Sequence, residues 1–234
     1  MKRSALAVLL ALLASFAFLP TARAQVPIHP GDRMSSTVGG CTLGFVYDGL
    51  GGAAGSGVYF GTAAHCVDHV NEDIKLGNGT VFGDVARIGD AGPTATDWAF
   101  IKVRADFVND VRAAVRGHPT YPTGFTKPAD TKQLDLIQIS GYGMVYELLA
   151  LTRESRVGLM GADDTHTYDL IGLDTFGDSG GPLVHVPTGK AMGIVSRGCI
   201  PICLGPLGTS LGPTVQGILA KAKADSFPVK LRTV

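Results

Sequence analysis

Three short stretches carry side chains whose types could cooperate in nucleophilic catalysis. Ser179 stands in "GDSGGPLV" (177–184), His65 in "GTAAHC" (61–66), and Asp97 in "TATDWAFIKV" (94–103). A serine hydroxyl is a poor nucleophile at neutral pH and needs a base within hydrogen-bond reach. An imidazole titrates near neutrality and suits that task, provided a third group orients its ring. Each residue also has a plain structural reading: a glycine-rich turn, a surface histidine, a carboxylate at a strand end. "GDSGG" satisfies the G-x-S-x-G pattern of esterases, but in that scaffold the nucleophile comes first in the chain. Here the histidine and the aspartate precede it, which excludes that arrangement.

The elements that must position these groups read as strands. From position 41 onward, short β-prone runs alternate with Gly, Pro, Asn and Asp: "CTLGFVY", "VYFGTAAHC", "DIKL", "TVFGDVARI" and "DWAFIKV" in the first half. "LDLIQISGYG", "MVYELLALT", "THTYDLIGLD", "PLVHV", "KAMGIVS" and "LGTSLG" follow in the second. Asn78-Gly79 marks a hairpin and Thr188-Gly189 another turn. This pattern predicts an all-β sandwich or barrel. One helix is expected over 213–224, where Pro213 opens a run with Val215, Ile218, Leu219 and Ala222 at three-to-four spacing. The stretch 113–132, rich in Pro, Thr and Gly, reads as the link between two halves. The halves show no sequence repeat.

Composition narrows the setting. Lys2 and Arg3, an apolar run of about fifteen residues and Ala22-Arg23-Ala24 form the pattern of a secretory signal peptide cut after Ala24. The run is shorter than the roughly 20 residues of a spanning helix. Of the 20 basic and 20 acidic residues in the 234-residue chain, cleavage removes only Lys2, Arg3 and Arg23. A nearly neutral, mildly acidic chain has no electrostatic case for nucleic acid or anionic membranes. Four cysteines in an exported chain read as two disulfides. Three pairings are open; the closeness of Cys199 and Cys203 favours a local bridge and leaves Cys41 with Cys66. The longer bridge contributes about 3.5 kcal/mol on the chain-entropy model. Neither pair has the C-x-x-C spacing of a zinc site.

Taken together, "TAAHC", "DWAFI" and "GDSGGPL", in that order, resemble the trypsin/chymotrypsin family of serine proteases. "CTLGF" and "GTSLGPTV" are similar to its bacterial, streptogrisin-like branch. The resemblance implies two six-stranded antiparallel β-barrels with a short C-terminal helix. The signal peptide (1–24) and an N-terminal segment (25–40) would precede a first barrel over 41–112, the linker (113–132) and a second barrel over 133–234. It implies His65 as general base, Asp97 as its orienting carboxylate, Ser179 as nucleophile, and the N–H groups of Gly177 and Ser179 as oxyanion donors. Gly177 would let the backbone turn its N–H toward substrate, while Gly180 and Gly181 relieve crowding behind the serine. The expected activity is secreted serine endopeptidase on protein or peptide substrates, by a monomer, with no metal or organic cofactor and no calcium-loop motif. The competing reading is an exported, catalytically silent binding protein of the same fold.

Several positions depart from the animal members. Val38-Gly39-Gly40 abuts Cys41 too closely to supply a freed amino terminus to Asp178. Asp178 therefore needs an internal cation, for which Arg153, Arg156 and Arg197 are candidates. Residues 25–40 leave room for a short pro-peptide or none, and none is expected. In the family's pattern the primary pocket is floored by Leu173, which implies an apolar side chain before the scissile bond. A one-residue shift would place Asp174 there and favour Lys or Arg. Ser196, Arg197 and Gly198 match the strand that pairs with substrate backbone, with Arg197 able to narrow the pocket or to prefer acidic substrates.

Overall fold

The computed structural model describes residues 26–143, 155–172, 174–198 and 209–234. The signal segment, "MVYELLALT", Arg153, Leu173, Cys199 and Cys203 lie outside the described residues. Seven strands come from the first half: β1 (Arg33–Ser35), β2 (Gly40–Thr42), β3 (Val46–Gly49), β4 (Val58–Thr62), β5 (Asp73–Leu76), β6 (Val81–Ile88) and β7 (Ala99–Val103). The second half adds β8 (Leu136–Ile139), β9 (Arg156–Asp163), β10 (Thr167–Ile171), β11 (Pro182–His185), β12 (Lys190–Ile194), β13 (Arg197–Gly198) and β14 (Thr209–Pro213). Helix α1 (Val215–Ala224) follows, and β15 (Val229–Leu231) ends the chain.

All ladder pairings between these strands are antiparallel, in two sheets ordered β15-β3-β4-β7-β6-β5-β1-β2 and β12-β11-β8-β9-β10-β14-β13. The first curls into a nearly closed barrel because β2 and β3 are one bent stretch serving both of its ends. Gly44 N–H donates to Gly61 O (2.7 Å) and Gly61 N–H to Phe45 O (2.8 Å) across the bend. In the second sheet, an isolated bridge between Gly193 and Thr214 draws β12 toward the opposite end. The all-β architecture with a C-terminal helix is the expected one. Among the described residues, eight strands form the first sheet and seven the second. They include β1, from the expected N-terminal segment, and β15, which returns from the C-terminus to pair with β3.

Two-residue periodicity explains how one strand serves two cores. In β7, Ala99, Ile101 and Val103 face the first barrel with Val46, Phe60, Phe82 and Val85. Phe100, with Trp98 just before the strand, faces the other way and packs with Tyr47 and Tyr59 against Val184, Ala191 and Ile194 of the second sheet. Phe100 stacks on Phe227 with centroids 5.6 Å apart. Such aromatic contacts add about 0.5–1.5 kcal/mol each beyond area burial. This shared layer fixes the two sheets against each other. Asp97 sits immediately before its aromatic entry point.

The Asn78-Gly79 hairpin forms as expected, with Leu76 N–H donating to Thr80 O (2.9 Å) and Gly79 at φ +84°. Helix α1 starts two residues later than expected. Thr214 caps it by accepting the Gly217 N–H at 2.9 Å, while Pro213 ends β14. A hydroxyl that satisfies an otherwise unpaired first-turn donor outweighs the preference of proline for the first helical position. Among the described residues, no helix is long and apolar enough to cross a membrane.

Candidate active site

β4 ends at Thr62, and the chain turns through a single 3₁₀ turn, Ala64–Cys66, that carries His65. Ala63 and Ala64 are buried, and the Cys41–Cys66 disulfide ties the turn back to β2. This is the pairing expected for those two cysteines. Cys41, His65 and Cys66 bring three metal-donor atoms within 4.8 Å of one another. The disulfide, however, removes both thiolates from that set.

Asp97 follows the 3₁₀ turn Thr94–Thr96 and is fully buried. Its Oδ1 accepts the His65 backbone N–H at 3.0 Å, and its Oδ2 lies 2.8 Å from His65 Nδ1. The Ser196 hydroxyl donates to the same Oδ2. Burial alone would raise the Asp97 pKa, but hydrogen bonds from the His65 ring, the Ser196 hydroxyl and the His65 backbone reverse this and hold it below the usual carboxylate range. An ionised carboxylate only accepts, so the ring hydrogen resides on Nδ1 and the Nε2 lone pair is left as a proton acceptor. The His65 side chain is 38% exposed, whereas Asp97 is 0% exposed. The imidazole is thus open to solvent and the carboxylate beside it is not.

Ser179 lies on the far side of the same disulfide. Its carbonyl accepts the Thr42 N–H at 2.9 Å and is 3.7 Å from Cys66 Sγ. No hydrogen bond joins the Ser179 hydroxyl to the His65 ring among the described residues; such contacts often tighten only in the substrate complex. Gly177 adopts φ +99° and Gly180 φ +84°, and a side chain at Gly180 would collide with Thr62 Oγ1 and Thr42 O. Neither the Gly177 nor the Ser179 N–H donates to an acceptor among the described residues.

Of the three candidate cations for Asp178, Arg156 is the partner. Its Nη1 and Nη2 donate to the two carboxylate oxygens at 2.6 and 2.5 Å, with both side chains buried. Thr175 N–H adds a third donor at 2.8 Å. Arg197 turns away, donating instead to the carbonyls of Ala91 and Gly92. Arg197 and Gly198 form β13 and pair with Leu211 and Ser210 of β14. The Ser196 side chain is directed to Asp97. Asp174 is 6% exposed. Burial pushes its carboxyl up to about 6; nearby Asp178 adds to the rise, while Ser210 and Arg156 oppose it.

Sequence reasoning missed Thr42, whose hydroxyl donates to Gly177 O at 2.8 Å. The only available signal was its position after Cys41, in a motif read for the disulfide.

The trypsin family model matches residues 44–205. No curated protein matches the chain by sequence. Among solved structures, protease A of Thermobifida fusca is similar at a TM-score of 0.63 and 18% identity, covering 89% of this chain and all of that one. A glutamic acid-specific serine protease that uses a histidine triad in substrate binding gives the same score and identity, covering 88% and 100%. An α-lytic protease homologue, N4, gives 0.59 and 18%, also covering 88% and 100%. At these identities the likeness speaks for the fold, and the family model for descent: the chain belongs to the trypsin family and is a chymotrypsin-like serine endopeptidase.

Proposed function

We propose that the protein is an exported endopeptidase that cleaves peptide bonds through an acyl-enzyme on Ser179. His65 Nε2 takes the hydroxyl proton as Ser179 Oγ attacks the scissile carbonyl carbon. The resulting oxyanion is met by the N–H groups of Gly177 and Ser179. Collapse of the adduct breaks the C–N bond, and the leaving amine takes the proton from His65. Water then attacks the acyl carbon, giving a proton to the same nitrogen; the C–Oγ bond breaks, Ser179 Oγ takes that proton back, and the carboxylic acid product leaves. Asp97 keeps the ring in the required tautomer and stabilises its transient cation.

One observation carries this reading: the buried Asp97 carboxylate 2.8 Å from His65 Nδ1, on the ring's inner side. A silent binding protein would have no use for a buried acid spent on orienting an exposed imidazole. Of the two pocket expectations, Asp174 supports a preference for Lys or Arg before the scissile bond. A substrate cation would pair a buried carboxylate that otherwise bears a desolvation cost. Ser210, directly opposite Gly198 on the neighbouring strand, is next to it.

The test is labelling of the secreted product with a fluorophosphonate, read by intact mass. We expect one probe per chain, a chain starting at Gln25, and no labelling of Ser179→Ala. A folded, disulfide-intact protein that takes up no probe would favour the binding-protein reading.

A further inference from the structure

We propose that Thr42 is a positioning residue for the oxyanion-stabilising loop 177–179, an inference that rests on the hydrolase reading above. Thr42 ends β2, is completely buried, and makes four hydrogen bonds with three different segments. Its backbone N–H donates to Ser179 O at 2.9 Å, and its hydroxyl donates to Gly177 O at 2.8 Å. The same hydroxyl oxygen accepts the Tyr142 N–H at 3.0 Å. Its carbonyl accepts the Thr62 hydroxyl at 3.2 Å, at the end of the strand that leads into the His65 turn. One residue therefore holds the carbonyls on both sides of Asp178 and is coupled to the strand that delivers the base.

The hydrogen-bond directions are determined. Tyr142 can only donate to the Thr42 oxygen, and Gly177 O can only accept from it, so the hydroxyl hydrogen has one place to point. This matters because Gly177 is the loop's least restrained residue. At φ +99° and without a side chain, it gains no orientation from its own sterics. Holding its carbonyl fixes the 177–178 peptide plane, which lies between the Gly177 and Ser179 N–H groups, and so limits how far those donors can turn apart. Loose placement by about 1 Å is enough to waste such donors. Valine or isoleucine would serve a buried strand position equally well on propensity. The hydroxyl is what those residues lack.

Thr42→Val removes the hydroxyl at nearly constant volume and keeps the backbone donor. For the enzyme acting on a chromogenic peptide substrate, we expect kcat to fall about tenfold, less than the 10²–10³ typical of deleting an oxyanion donor outright, with KM changed less than about twofold. The affinity of a peptidyl trifluoromethyl ketone, whose serine adduct carries the oxyanion, should fall with kcat. Thr42→Ser should restore both. If Thr42→Val does not fold, Thr42→Ala is read by the same kcat and KM split. An unchanged kcat, a rise in KM in its place, or a Ser variant as impaired as the Val variant overturns the proposal. An active wild type with an unaffected Val variant overturns this inference alone. A wild type that takes no probe at Ser179 overturns the hydrolase reading and this one with it.

Discussion

Two buried carboxylates flank the candidate nucleophile, and they are partnered in opposite ways. Asp97, from the first half, is served by groups that carry no fixed charge: an imidazole, a hydroxyl and a backbone N–H. Asp178, from the second, is clamped bidentately by Arg156. Both are fully buried. The difference matches the roles proposed for their partners. In the proposed cycle the partner of Asp97 takes up and releases a proton, which an imidazole can do and a guanidinium cannot. The partner of Asp178 would hold the backbone of the 177–179 loop still throughout that cycle. A guanidinium never deprotonates in that role, and its fork matches the carboxylate.

Breaking the first arrangement should have the largest effect on rate. Asp97→Asn leaves the fold intact but presents an amide that can stabilise the wrong ring tautomer, and kcat should drop about 10⁴-fold with little change in KM. Steady-state kinetics on a peptide substrate check this. Breaking the second should show first in stability. Arg156→Met strands a buried carboxylate, and we expect a loss of about 3–5 kcal/mol in urea unfolding together with most of the activity. Arg197→Met, at a candidate position that the structure directs elsewhere, should leave stability within about 0.5 kcal/mol.

A third buried carboxylate sharpens the contrast because it has neither kind of partner in full. With its folded value raised to about 6, Asp174 binds a proton more tightly in the native than in the unfolded chain. Its contribution therefore weakens native stability as pH rises from about 4 through 6, and the penalty is complete above that window. Asp174→Asn should stabilise the protein by on the order of 2–3 kcal/mol at pH 8 and by little at pH 4. Thermal unfolding at the two pH values measures this. In a peptide library at pH 8, the same variant should lose preference for Lys and Arg before the cleaved bond. The wild-type preference should fade below pH 6.

Much of this was legible in the chain. His65, Asp97 and Ser179 stood out as candidates because of neighbours close in sequence: small residues before the histidine, an apolar strand after the aspartate, glycines around the serine. The hairpin at Asn78-Gly79 was legible for the same reason, since its chemistry is local. What escaped depends on contacts between distant segments. Three arginines were equal candidates for Asp178 until β9 brought Arg156 beside it. That strand was itself passed over, because "RVGLMGAD" contains two glycines and lacks aromatic residues. Ser196 was read for the backbone of its strand, and nothing near it in the chain showed that the fold carries its hydroxyl to Asp97, 99 positions away. Thr42 had little local signal beyond its place after Cys41, since the partners of its hydroxyl lie 100 and 135 residues distant.

The most direct measurement is the proton NMR signal of the His65 ring in the folded protein. We expect a single slowly exchanging proton well downfield of the amide region, present in the wild type and in Ser179→Ala and absent in Asp97→Asn. A wild type without that proton, or an Asp97→Asn variant that retains it, would mean that the buried acid does not hold the ring and that His65 is not set up as the base.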